Sequence, residues 1–379
     1  MSVDLTLAQP DGRPRGRGLG LPFPGTPGPA NAITDVAGVA VGAVTLVRGD
    51  GPRVVGQGPV RTGVTAILPR GRAGVAAPVF AGIHSLNGNG ELTGSHWIAE
   101  SGRCEGPVTI TNTHSVGRAR DAAVRWMVGS AGLGASGPAW GLPVAAETYD
   151  GYLNDINGFH VTEDDVLAAI DGASEGFPPL GNRGGGTGMI CYQFKGGNGT
   201  ASRIAEAGGG RWTLGVFVQA NFGRRELFAP FGIPAGRLLD VPMPGPAPRP
   251  SAADGSIIAV VATDAPLLPH QCARLARRVS LGLARTGSIA ANGSGDIFLA
   301  FSTGNAEALA DTGLQARQLA FLPDAALDPL FLATVEATEE AIIEAMLAAD
   351  TMTGADGNTV HALPHGPLVD LVRAAGGRR

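Results

Sequence analysis

Lysine is almost missing from this sequence: Lys195 is the only one in 379 residues, and every other basic residue except histidine is arginine. That skew reads as genome composition. The net charge is −5. Phosphate recognition needs a concentrated basic face, so nucleic acid is not expected as a partner. Only three cysteines occur, Cys104, Cys191 and Cys272, and they lie far apart. An odd, scattered set does not build a disulfide framework and suits a reducing compartment. No run approaches the roughly 18 apolar residues of a membrane helix. The Gly-, Pro- and Arg-rich start, Met1 to Ala30, has no apolar core of the roughly 7–15 residues a signal peptide uses. The expectation is a soluble cytoplasmic protein with no membrane partner. Residues 1–30 would form a disordered or extended arm, loose over about its first 20 residues.

What is abundant is apolar and small. Hydrophobic residues make up 44% of the chain, with 59 glycines and 28 prolines. A large core is possible, cut by many tight turns. Short apolar runs bounded by Gly, Asn or Pro predict buried strands at Val64–Leu68, Pro78–Ile83, Pro107–Asn112, Thr187–Phe194, Thr213–Asn221, Ser256–Thr263 and Asp296–Ser302. Helical spacing predicts Val116–Val128 and Leu268–Arg285, the latter with Cys272, Leu275, Ala276, Val279 and Leu283 on one face. Asp328 followed by Pro329 reads as a helix start. That helix would run to about Ala349 and turn Glu336, Glu339, Glu340 and Glu344 to solvent. Long helices and buried strands in mixed order imply sheets covered by helices.

Several motifs fail on context. Gly132 to Gly137 fits G-x-G-x-x-G but follows a helix, and Pro138 comes next. His361 and His365 are four apart, but Pro364 and Gly366 break the helix that would align them, so no metal is expected there. The chain lacks a P-loop lysine, an H-E-x-x-H pair and a G-x-S-x-G elbow. Between Asp240 and Gly255, prolines alternate at 242, 244, 246, 248 and 250. Such a segment cannot join a sheet or a helix interior. It runs directly into the strand that begins at Ser256. Polar residues cluster at strand ends in Glu147–Asp155, Val218–Gly223, Gly255–Ile258 and Asn292–Ser302. Each alone is ordinary turn chemistry. Together they suggest a site, because buried polar groups are costly unless they are used.

These segments resemble the L-aminopeptidase/D-esterase-amidase family, which includes the β-aminopeptidases. The likeness runs from about Asn31. It covers Asn31–Val39, Asn87–Gly94, Glu147–Gly151, Gln219–Gly223, Ala262–Gln271, Gly293–Ile297 and Met352–Val360, in that order. The resemblance implies an α/β four-layer αββα sandwich, N-terminal-nucleophile-like, with the topology shared with ornithine acetyltransferases. It implies a single catalytic domain over 31–379 that cuts itself between Gly255 and Ser256, leaving chains 1–255 and 256–379. Ser256 would be the nucleophile and its freed α-amine the base. The unperturbed pKa of such an amine, about 7.7–8.0, suits that task without histidine. By the same resemblance Ser294 and Asp296 flank the nucleophile; related β-aminopeptidases carry Glu at the latter position. Asn221, with the backbone N–H of Ile257, would stabilise the oxyanion. Tyr149 would assist the oxyanion or the leaving group, and Glu147 would bind the substrate's ammonium. Substrates would be short peptides, amino-acid amides or esters, with no cofactor, and the protein would be a homo-oligomer, a tetramer or octamer. Acyl transfer to an amine, or an uncleaved scaffold of the same fold, are the alternatives.

Overall fold

The computed structural model describes residues 3–74, 77–130, 132–135, 139–245, 255–310 and 313–376. In chain order the strands are β1 (Ala40–Arg48), β2 (Val60–Leu68), β3 (Val79–Ser85), β4 (Arg103–Cys104), β5 (Val108–Asn112), β6 (Val144–Thr148), β7 (Ile190–Cys191), β8 (Phe194–Lys195), β9 (Gly197–Ala207), β10 (Gly210–Phe222), β11 (Gly255–Thr263), β12 (Gly295–Ser302) and the short pair β13 (Met352–Thr353) and β14 (Thr359–Val360). One sheet has the order β1-β2-β5-β6 and the other β4-β3-β12-β11-β10-β9. The helices Val116–Gly129 and Glu163–Asp171 cover the first sheet. Pro269–Arg285 and Asp328–Leu347 cover the second. This is the αββα sandwich that the resemblance implied.

Side-chain alternation builds the layers. On β11, Ile257, Ala259 and Val261 pack toward the helices. Ile258, Val260 and Ala262 pack between the sheets, against Ile67, Ile110, Val144 and Ala146. Both faces of β11 are covered, which is why its sequence is continuously apolar. The expected face of the Pro269–Arg285 helix is buried as read, from Cys272 to Leu283.

Two expectations fail. The run read as a strand over Thr187–Phe194 is a tight hairpin, β7–β8, with Tyr192 and Gln193 at φ 51° and 58°. Two successive left-handed residues are the geometry of a two-residue hairpin turn. Arg225 secures them by donating to the carbonyls of Tyr192 and Gln193 while stacking on Phe194. The Pro-rich segment falls largely on residues 246–254, which lie outside the described residues, as do Ser136 and Gly137 of the Gly-rich motif.

The second failure links two misread segments. Glu336, Glu339, Glu340 and Glu344 are not solvated: all four are buried. Glu340 and Glu344 find partners in the arm that was expected to be loose. Arg17 grips both carboxylate oxygens of Glu340 at 2.8 and 2.9 Å. Arg15, fully buried, pairs with Glu344 at 3.4 Å and donates to the carbonyls of Leu5, Ala30, Asn31 and Thr200. Arg203 on β9 reaches Glu340 at 2.7 Å, and Arg285 meets Glu339. A helix with acidic residues at this spacing reads as exposed unless its cations are known, and these lie up to some 300 residues away. Removing one partner of a buried pair strands the other charge, a loss of about 3–5 kcal/mol. Arg203→Ala is therefore expected to lower the denaturation midpoint sharply. Arg13→Ala, which removes an exposed pair with Asp350, is expected to leave it unchanged. Urea titrations of the two variants side by side check this.

Candidate active site

Strand register assembles the site. On the antiparallel β10–β11 ladder, Asn221 stands opposite Ser256, and Phe222 opposite Gly255. On the parallel β11–β12 ladder, Ser256 stands beside Gly295 and Ile257 beside Asp296. Three of the four polar segments, far apart in sequence, thus meet at the end of one central strand. Ser256 is buried, and its Oγ accepts the Gly295 N–H at 3.1 Å. Gly255 has φ 59°. A Cβ there would lie 1.8 Å from the Asn221 carbonyl oxygen, so no other residue fits without moving β10.

Ser294 and Asp296 form a tight pair: Ser294 Oγ donates to Asp296 Oδ1 at 2.6 Å. Asn87 Nδ2 donates to Oδ2 of the same carboxylate at 3.2 Å. Burial raises the Asp296 pKa; the bonds from Ser294 and Asn87 and the Ile257 backbone N–H pull the other way. The Ile257 N–H, expected as an oxyanion donor, lies on the side of the Asp296 carboxylate.

Asn221 is fixed at both ends of its amide. Its Oδ1 accepts the Ile190 N–H at 2.8 Å, and its Nδ2 donates to the Tyr149 carbonyl at 2.9 Å. The second Nδ2 hydrogen is left over for another acceptor. Tyr149 enters the site through this main-chain carbonyl. Its side chain is 40% exposed and folds over Gly151.

Glu147, at the end of β6, is buried. Its Oε1 accepts the Glu91 N–H at 3.0 Å, and Thr113 Oγ1 donates to Oε2. Burial is the largest influence on its pKa and raises it, with the bonds from Thr113 and Glu91 opposing. A Cβ on Gly90 would lie 3.1 Å from Glu147 Oε1 and 3.5 Å from the Gly295 Cα. The Asn87–Gly94 loop therefore spans from the Glu147 carboxylate to Gly295, the β12 neighbour of Ser256. Asn89 anchors it by donating to the Gly293 carbonyl at 2.7 Å.

Sequence reasoning assigned no role to Asn87, Asn89, Thr113 or the neighbouring His114. The Asn-Gly pairs of the loop were a visible signal, but they read equally well as turns. His114 stacks on the exposed Phe159 and lowers the Glu147 pKa slightly. Among the described residues no group of three His, Cys, Asp or Glu could hold a metal, and no helix is long and apolar enough to cross a membrane. The three cysteines are free and buried.

Residues 31–360 match the family model described as peptidase family S58. The chain is 50% identical over 370 residues to a β-peptidyl aminopeptidase of Sphingosinicella microcystinivorans, covering 95% of this chain and 92% of that one. Its fold is similar to that of the L-aminopeptidase D-Ala-esterase/amidase of Ochrobactrum anthropi, described as a prototype serine aminopeptidase and a variant of the Ntn hydrolase fold. The two share 48% identity at a TM-score of 0.86, over 96% of this chain and 99% of that one. It is also similar to a Burkholderia sp. β-aminopeptidase, with 46% identity and a TM-score of 0.85 over the same shares. The chain belongs to peptidase family S58, and it is a hydrolase of the aminopeptidase class on the Ntn hydrolase fold.

Proposed function

We propose that this hydrolase is made as a precursor that cuts itself between Gly255 and Ser256. It then removes N-terminal residues from short peptides, amino-acid amides or esters through an acyl-enzyme on Ser256. The observation that carries this reading is the register placing Asn221 and Gly295 on either side of a buried Ser256. In the precursor, Ser256 Oγ would attack the Gly255 carbonyl, and breaking the Gly255–Ser256 C–N bond would leave an ester on Oγ and a free Ser256 α-amine; hydrolysis of that ester would release the Gly255 carboxylate and restore the hydroxyl. In the mature site that amine would take the Oγ proton as Oγ attacks the substrate carbonyl, then return it to the leaving amine. Water would repeat the cycle on the acyl-enzyme. Asn221 Nδ2 and the Gly295 N–H would donate to the oxyanion. The Ser294–Asp296 pair would orient the proton relay and hold the ammonium, and Tyr149 would close the rim on the leaving-group side. By the resemblance noted above, the assembly would be a tetramer or octamer; a monomer in light scattering at micromolar concentration would remove that part.

Glu147 would bind the substrate's ammonium, which is what makes an amidase an aminopeptidase. A buried carboxylate with a raised pKa is short of counter-charge, and a cation supplies it. Glu147→Gln is expected to raise KM for aminoacyl p-nitroanilides by tenfold or more, about 1.4 kcal/mol. It is expected to spare esters that lack the amine. The sign of the pH effect follows from the raised pKa. Ionisation of Glu147 is complete above it and is lost as pH falls through it, at higher pH than for an ordinary glutamate. KM of the unmodified enzyme should rise on that acid limb, and KM of Glu147→Gln should not. The panel should include α-L, α-D and β-residues, because two of the three relatives named above are β-aminopeptidases. Equal KM for amine-bearing and amine-free substrates in the unmodified enzyme would refute the role of Glu147.

A further inference from the structure

Lys195 is fully buried at the end of the β7–β8 hairpin. Its Nζ donates to the Met189 carbonyl at 2.7 Å and to the Gly196 carbonyl at 2.9 Å. The Met189 carbonyl and the Ile190 N–H belong to one peptide group, and that N–H holds Asn221 Oδ1 at 2.8 Å. A continuous chain therefore runs from the ammonium, through one peptide, to the side-chain amide facing Ser256. Burying an ammonium costs several kcal/mol even after relaxation. A neutral donor would satisfy two carbonyls without that penalty, and in a chain whose other cations are all arginine a lysine here is conspicuous. A compact point charge fits where a planar guanidinium does not. Burial lowers the Lys195 pKa to about 7, while the carboxylates of Asp150 and Asp350 favour its charged form. Asp150 is itself buried, with Oδ2 unpartnered among the described residues, and follows Tyr149, whose carbonyl takes the other end of the Asn221 amide.

We propose that Lys195 is a positioning residue for oxyanion stabilisation: its charge polarises the Met189–Ile190 peptide, which fixes and polarises the Asn221 amide and strengthens the donor at Nδ2. Hydrogen bonds in series reinforce one another in a low-dielectric interior. The inference rests on the reading of Asn221 as the oxyanion donor given above. Lys195 touches neither substrate nor Ser256 and acts only through Asn221.

A double-mutant cycle on correctly processed protein tests it, with an aminoacyl p-nitroanilide as substrate. Lys195→Met is expected to lower kcat about tenfold, a fraction of what loss of a whole donor costs, with KM within about twofold. In the Asn221→Ala background the same change is expected to do nothing further, since the group it acts through is gone. Equal losses in both backgrounds would show a merely structural lysine and overturn the inference while leaving Asn221 in place. An undiminished kcat in Asn221→Ala would overturn the oxyanion reading, and the inference with it. If Lys195→Met does not mature, the unmodified enzyme still answers. As the only lysine, Lys195 gives a single 15Nζ/13Cε signal in lysine-labelled protein. Adding an aminoalkyl boronic acid, which forms a tetrahedral adduct on a serine, is expected to shift that signal. An unmoved signal at full occupancy would overturn the proposal.

Discussion

Ser256→Ala is expected to leave one intact chain and no detectable hydrolysis, a loss of at least about 10⁴-fold. The size of the effect follows from what else is near. Ser294, the other hydroxyl at this strand end, donates to Asp296 at 2.6 Å. It lies inside the chain, so no cleavage at residue 256 could give it an α-amine. The three cysteines are buried, and burial holds each thiol up, with Cys104 and Cys272 at about 12. None can substitute as nucleophile. The variant should fold normally, because Ser256 Oγ makes one hydrogen bond, from the Gly295 N–H, and β11 is held on both edges by full ladders. Ser256→Cys and Ser256→Thr retain a nucleophile and are expected to mature slowly. Denaturing gels and activity on an aminoacyl p-nitroanilide read all three. Normal cleavage or hydrolysis by Ser256→Ala would remove Ser256 from the mechanism.

The second large effect is expected at Asn221. On the proposed mechanism, replacing it with Ala removes one oxyanion donor, a loss of about 10²–10³ in kcat. It also leaves the Ile190 N–H and the Tyr149 carbonyl without their partner. Unsatisfied buried groups cost about 1–3 kcal/mol each, so some stability should go as well. The two consequences separate cleanly. A stability loss lowers the denaturation midpoint and the amount of mature protein, whereas donor loss lowers kcat per mature site. Asn221→Ala that matures, folds and keeps kcat would exclude it as a donor.

The contrast between what was legible in the sequence and what was not has a physical origin. β11 and β12 were readable because both faces are buried, and a continuous apolar run with a polar start is unusual. The Pro269–Arg285 helix was readable because its face repeats at helical spacing. Register between strands carries no local signal. Nothing in the sequence puts Asn221 opposite Ser256, and only the resemblance brought the two together. The acidic face of the Asp328–Leu347 helix was misread because its counter-charges, Arg15, Arg17 and Arg203, lie far away in sequence. The loose arm was misread for the same reason from the other side: arginines among Gly and Pro look solvated until their carboxylates are found. Lys195 was treated as composition, because a lone lysine says nothing until its two carbonyl acceptors are seen.

The most direct test of the mechanism is intact-mass analysis of a freshly made precursor as it matures, with peptidase activity followed in the same samples. The expected result is two fragments, 1–255 and 256–379, that stay together as one folded unit because β11 is buried between β10 and β12. Activity should start near zero and rise in step with the 256–379 fragment, since the proposed base is an amine that does not exist before cleavage. Cleavage at another bond would displace Ser256. An uncleaved Gly255 variant hydrolysing aminoacyl amides at full rate would show that the N-terminal amine is not needed, and would contradict the mechanism outright.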